Sequence, residues 1–261
     1  AALVKTINSN SATYGGVTAS LGSDGKITLS NTDGAEISTT GGAFGSITAN
    51  NGRLYIVFTN SSVAAGAAPS VTGVAGAGLT FTEIGTAGGV TYSGVGVRRI
   101  QAWRALAASG AASGAITITL NGTSTGMDAV LLEFTGTDTS GTNGSGAIVQ
   151  NVTNTALAAA GITLTLSAFG GVDNRPVAFF SHRADEATTP EVGYTELDDG
   201  SHATPDAGAE CEWNATVPDV SPSVSWATVS DSAGFGIEIK IAPSVAATAA
   251  GVNPQVMMRI S

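Results

Sequence analysis

The chain has 261 residues, 35 of them glycine, with only 11% charged residues and ten basic against twenty acidic side chains, for a net charge of −10 and a pI near 4.4. That balance sets aside a nucleic-acid surface, which needs Lys and Arg to displace condensed counterions, while the length suits one large all-β domain with extensions or two smaller domains. The single Cys211 sets aside an intramolecular disulfide framework, and no apolar run reaches the roughly 20 residues of a membrane span.

Residues 1–48 are rich in Gly, Thr, Ser and Asn, with short alternating pieces at Val17–Leu21 and Lys26–Leu29 around the turn signal Ser23-Asp24-Gly25. They read as an N-terminal arm or small hairpin extension that gains order by packing on something else. The start, AALVKTINSN, lacks the basic-then-apolar layout of a signal peptide. A main domain over 49–241 opens with Leu54–Phe58, a continuous apolar run expected to be buried on both faces. Leu79–Ile84 alternates, and Gly88–Gly96 is a glycine-rich turn region. Val97–Gly136 carries the clearest patterning, with strands over Arg99–Leu106, Ala115–Leu120 and Ala129–Phe134 that read as a β-meander or part of one. Within it Ile100, Trp103 and Ala105 are set against Arg99, Gln101 and Arg104. Glycines flanking Ala102–Ala112 weigh against the helix that its alanines favour.

Thr135–Gly146 is a polar loop, followed by strands over Ala147–Val152, Ile162–Leu166 and Pro176–Ser181. Arg183–Asp206 is markedly acidic and loop-like, with a short strand at Tyr194–Leu197. Ala209–Asn214, Ser223–Val229 and Phe235–Ile241 close the domain, and 242–261 is a C-terminal arm. Roughly ten or more short strands, spaced by turn signals and with no fixed repeat, define an all-β chain. The expected fold is a two-sheet antiparallel β-sandwich of jelly-roll type with extended arms at both ends.

Candidate chemistry is sparse. His182 and His202 sit among carboxylates, so a metal site from His182, Asp185 and Glu186, or from Asp198, Asp199, His202 and Asp206, is conceivable; neither spacing matches a known ligand loop, and a solvated acidic loop is the simpler reading. Glu133, Glu210, Glu212 and Glu238 are strand-borne acids that a glycosidase would need as a facing pair, and each reads more simply as an outward-facing or paired strand acid. Gly141–Gly146 has the glycines of a nucleophile elbow but lies between strands. Gly73–Gly78 lacks the Lys-Ser/Thr of a phosphate cradle. Trp103, Trp213, Trp226, Tyr55, Tyr92 and Tyr194 form a sugar-stacking platform only if exposed together, and as strand aromatics they read as core. Cys211 reads as a small buried hydrophobe. Asn-x-Ser/Thr triplets at Asn60, Asn121, Asn143, Asn151 and Asn214 follow from composition.

The succession Pro69-Ser70-Val71-Thr72-Gly73, Gly78–Thr82, Arg98–Leu106, Gly114–Leu120, Ala129–Gly136 and a closing Trp226 with Gly236–Ile239 resembles a group of β-sandwich virion proteins encoded by bacteriophages and prophages. The resemblance spans about residues 52–241. It implies a non-enzymatic structural component of a phage particle that decorates or stabilises the capsid, or forms a head or tail accessory, through arm-mediated subunit contacts. It carries over no catalytic residue and no cofactor. The implied partners are a major capsid or other virion protein and further copies of the chain, with neither nucleic acid nor membrane, and the implied location is the virion after assembly in the host cytoplasm. The rival expectation is a carbohydrate-binding adhesin module of a phage tail or a secreted bacterial protein, with a glycan as partner.

Overall fold

The structure, a computed structural model, describes residues 17–21, 27–31, 39–92, 97–109, 112–203, 205–242 and 254–260. Its strands are β1 (Val17–Leu21), β2 (Ile27–Asn31), β3 (Thr39–Thr48), β4 (Leu54–Ser62), β5 (Val71–Gly76), β6 (Leu79–Thr80), β7 (Thr82–Ile84), β8 (Val90–Tyr92) and β9 (Arg98–Leu106). They continue as β10 (Ser113–Ser124), β11 (Gly126–Phe134), β12 (Ile148–Thr163), β13 (Arg175–His182), β14 (Thr189–Pro190), β15 (Thr195–Ala203), β16 (Asp206–Trp213), β17 (Ser223–Ile239) and β18 (Pro254–Ile260).

The chain divides into a unit over Ala1–Thr39 and a body over Thr40–Ser261. In the first unit β1 and β2 pair as an antiparallel hairpin; the expected Ser23-Asp24-Gly25 turn and residues 1–16 lie outside the described residues. The division falls earlier than the arm boundary at residue 48 suggested by composition. Phe44 and Ile47 explain why: they bury 99% and 95% of their surface in the body's core, and apolar area of that kind anchors a strand to its domain.

The all-β sandwich is as expected, but among the described residues the body has three antiparallel sheets where two were expected. An outer sheet runs β3-β10-β5-β6, a central one β18-β11-β4-β9-β7 with β8 also on β9, and a second outer one β12-β17-β13-β16-β15 with β14 also on β17. β4 is buried along its whole length, and its side chains alternate between two cores. Leu54, Ile56 and Phe58 face Val177, Phe179, Trp213, Phe235 and Ile237 of the second outer sheet. Tyr55 and Val57 face Phe44, Val74, Ile116 and Ile118 of the first. Phe58 stacks on Phe179 at 5.4 Å between centroids, so the central and second outer sheets meet through aromatic contact. A jelly roll is a double-sheet arrangement, and three stacked sheets do not establish it.

Val97–Gly136 is not a meander. β9 and β11 both flank β4, while β10, between them in sequence, crosses to the first outer sheet. Ile100 and Ala102 accordingly face one core, with Trp103 and Ala105 facing the other. Leu79–Ile84 also changes sheets, β6 pairing with β5 and β7 with β9. In the C-terminal segment expected as an arm, β18 hydrogen-bonds to β11 at the edge of the central sheet; residues 243–253 lie outside the described residues.

The second outer sheet curls over itself. β12 and β17 are each one long strand where two shorter ones were expected, and β-bulges at Ala156/Ala159 and Ala159/Gly161 interrupt their register, with Ala158 in the left-handed region at φ 47°. Bulges bend a strand. Beyond the bend Ile162, Leu164, Val224 and Trp226 return onto Ala178 and Phe180, which lie on that sheet's outward face. Gly234 permits the approach, since a Cβ there would stand 2.8 Å from Phe180 Cδ1 and 3.1 Å from Leu164 Cδ2.

Candidate functional site

The curl encloses an acidic face. In Ala209-Glu210-Cys211-Glu212-Trp213, period-two alternation sends Ala209, Cys211 and Trp213 into the core against the central sheet and Glu210 and Glu212 to the opposite face. Across the β15–β16 ladder Glu196 stands opposite Glu212 and Asp199 opposite Glu210, so four carboxyl groups occupy two adjacent cross-strand pairs. Like charges so placed destabilise a sheet. On the other side of β16, Phe180 and Ala178 of β13 lie opposite Glu210 and Glu212.

A strap over residues 183–194 closes this face. β14 pairs Thr189 with Ser225 and Pro190 with Val224, Glu186 accepts hydrogen bonds from the Thr228 amide and hydroxyl at 2.6 and 3.1 Å, and the Glu191 amide donates to Glu212 Oε2 at 3.3 Å. Glu210 and Glu212 both end with no exposed surface. Neither oxygen of Glu210, nor Oε1 of Glu212, has a hydrogen-bond partner among the described residues, and nor does the buried Tyr194 hydroxyl.

Burial, reinforced by Glu196 and Asp199, pushes Glu210 up to about 8. Burial, then Glu210, pushes Glu212 up to about 9. Burial also raises Tyr194, reinforced by the carboxyl groups of Asp219, Glu212 and Glu191. Beside them His182 stacks on Trp226 at 4.5 Å, its Nε2 lies 3.2 Å from Thr188 Oγ1, and burial lowers its pKa to about 4. Glu210 and Glu212 are therefore neutral acids near pH 7, beside a neutral imidazole.

The expectation that strand-borne glutamates face outward or are paired fails at Glu210 and Glu212, which are buried with no cation beside them among the described residues. Glu133 and Glu238 are buried and well served. Glu133 Oε2 accepts from Tyr55 Oη at 2.5 Å and Asn50 Nδ2 at 3.3 Å, with Arg53 Nη1 3.5 Å from Oε1. Glu238 accepts from Asn174 Nδ2, Gln150 Nε2 and the Gly170 amide at 2.5–2.9 Å.

The four residues considered for a metal, Asp198, Asp199, His202 and Asp206, are not brought together. Asp198 stands opposite Cys211 and His202 opposite Ala207, on the inward face of the sheet, whereas Asp199 stands opposite Glu210 on the outward face and accepts from the Thr188 amide at 3.4 Å. Asp206 is exposed at the start of β16, its carbonyl accepting from Arg98. Among the described residues no group of three or more His, Cys, Asp or Glu side chains is arranged to hold a metal ion.

His202 reaches the central sheet instead. Its Nδ1 lies 3.1 Å from Asp128 Oδ2 and its Nε2 3.2 Å from Ser62 Oγ, the atom order of a Ser-His-Asp triad. Ser62 has no exposed surface, and its hydroxyl donates to the Gly126 carbonyl at 3.0 Å, so no acyl group can reach Oγ in this conformation. The trio instead ties β15 to β4 and β11. A Cβ at Gly126 would collide with both His202 Nε2 and Ser62 Oγ, so a larger residue there would have to displace this pair.

Of the six candidate aromatics, Trp103, Trp213, Trp226, Tyr55 and Tyr92 are buried and Tyr194 is half-buried, so they form core and not a platform. Cys211 is buried as expected, and burial raises its thiol pKa well above the usual value. Among the described residues no helix is long and apolar enough to cross a membrane. No protein-family model, curated protein or solved structure matches the chain.

Proposed function

We propose that this protein is a non-enzymatic structural component of a phage particle, one that decorates or stabilises a capsid or forms a head or tail accessory. The observation that carries this reading is the division of the chain into a small hairpin unit over Ala1–Thr39 and a body of three stacked sheets. A body whose middle sheet is covered on both faces is rigid, and an isolated two-stranded hairpin such as β1–β2 is marginal in water and gains stability from a partner surface. Major capsid subunits or other copies of this chain would supply that surface.

The test is to express an epitope-tagged chain in a host carrying the phage, and to compare it with a version lacking residues 1–39. The full chain should sediment with purified particles in many copies. The truncated chain should stay in the supernatant while keeping its circular dichroism spectrum and melting temperature. Absence of the full chain from particles overturns the virion role, and undiminished sedimentation of the truncated chain overturns the role of the hairpin unit.

A further inference from the structure

Glu210 and Glu212 sit side by side on one face of β16 with no exposed surface, and three of their four carboxyl oxygens have no hydrogen-bond partner among the described residues. The groups facing them are Glu196 and Asp199 from β15, Glu191 and Tyr194 from the strap and its following turn, and Asp219 from the segment before β17. From β13 come Ala178, Phe180 and, one pair further along the ladder, the neutral His182. Among the described residues no Lys or Arg faces Glu210 or Glu212. Two ionised carboxylates cannot stay desolvated against four further acids without a counter-charge.

We infer that Glu210 and Glu212 are carried as uncharged carboxylic acids beneath the strap over residues 183–194, and that their ionisation at alkaline pH releases this strap from the curled sheet. Glu212 is joined to the strap directly, through the Glu191 amide. The strap's Thr188 hydroxyl lies 3.2 Å from His182 Nε2, and His182 stacks on Trp226, so lifting the strap loosens the packing of this indole ring. The strap's other anchors are β14 pairing and the Glu186–Thr228 bonds. Ionisation of the pair opposes all of them, because solvation of the charges requires water to enter the curl. This inference does not depend on the virion role.

The experiment follows the full chain from pH 6 to pH 10 by tryptophan emission and by hydrogen exchange of the amides of residues 186–192. The wild type should show a red shift of emission and at least a tenfold fall in the protection factors of the strap amides, taken relative to their base-catalysed intrinsic exchange at each pH, with a midpoint between pH 8 and 9, while the protection factors of β4 amides stay constant. Carboxyl carbon-13 resonances of the two glutamates should titrate in the same range. The variant Glu210→Gln/Glu212→Gln keeps the shape of the protonated side chains and should lose the transition. A transition unchanged in that variant, or carboxyl titration near pH 4.5, overturns the inference. So does suppression of the wild-type transition by millimolar calcium chloride, which would make the pair metal ligands. Should the double variant fail to fold, the carbon-13 titration of the wild type decides alone.

Discussion

Glu238 and Glu210 are both strand residues with no exposed surface on the same sheet, yet their surroundings are opposite in kind. Glu238 is met by three donors, from Asn174, Gln150 and the Gly170 amide. Glu133, buried against the first outer sheet, has Tyr55, Asn50 and Arg53. Among the described residues Glu210 has no hydrogen-bond donor and stands between Asp199 and Phe180 across its two ladders, and Glu212 has a single backbone amide. Burial alone therefore does not say what a carboxyl group does. A donor set makes it a structural acceptor, and a lack of one makes it a store for a proton.

The largest expected effect separates these two kinds by pH. Both glutamates under the strap have folded pKa values, about 8 and about 9, above the ordinary 4.5. Above pH 4.5 the unfolded chain has released protons that the fold retains, so stability falls as pH rises and the loss ends once both groups have ionised, near pH 9. Each retained proton costs about 1.4 kcal/mol per pH unit over that span. Urea titrations at pH 6, 7 and 8 should show a steeper decline for the wild type than for Glu210→Gln/Glu212→Gln. Equal slopes would mean the pair is ionised in the fold and would erase the contrast with Glu238.

The converse experiment removes a served carboxylate. Glu238→Ala leaves the 95%-buried Asn174 amide without its acceptor and frees Gln150 and Gly170, and should cost about 3 kcal/mol. A loss below about 1 kcal/mol in a urea titration at pH 7 would show that the donors find water as readily as they found Glu238. A milder form of the same test is Tyr55→Phe. It deletes a donor to Glu133 and an acceptor for the Asn50 amide, for an expected loss of about 1–2 kcal/mol by thermal melting. In the wild type burial, followed by the hydrogen bond to Glu133, raises Tyr55 to about 12.

How far the sequence reaches can be read from the same residues. The run Leu54–Phe58 was legible as a strand buried on both faces, and such a strand already requires a layer on each side. Counting strands suggested two sheets; counting faces would have suggested three. Alternation in Ala209–Trp213 was equally legible and puts Glu210 and Glu212 opposite the core. What could not be read is that the same sheet bends back over them, because the bend lies in bulges within β12 and β17, and a bulge has no period of its own. The link from His202 to Ser62 spans 140 residues of chain and left no local signal. The metal candidates Asp198, Asp199, His202 and Asp206 are near one another in sequence, but strand alternation and the exposed position of Asp206 at the start of β16 scatter them.

The smallest effect belongs to a carboxylate at the surface, and it sets the scale for the others. Asp138 Oδ2 lies 2.6 Å from Lys240 Nζ, which is 46% exposed. The Lys240 hydrogen bond, then those from Ser140, hold Asp138 down at about 2. Its folded pKa is below the unfolded value, so this contribution is present above about pH 4 and is lost as pH falls toward 2. Water screens such a pair and competes for both partners. Lys240→Ala should therefore change stability at pH 7 by no more than about 0.5 kcal/mol, and the difference should shrink further in 1 M salt. A loss as large as that of Glu238→Ala would mean that charge pairing outranks burial here, and that Glu210 and Glu212 are set apart by their missing cation more than by their missing water.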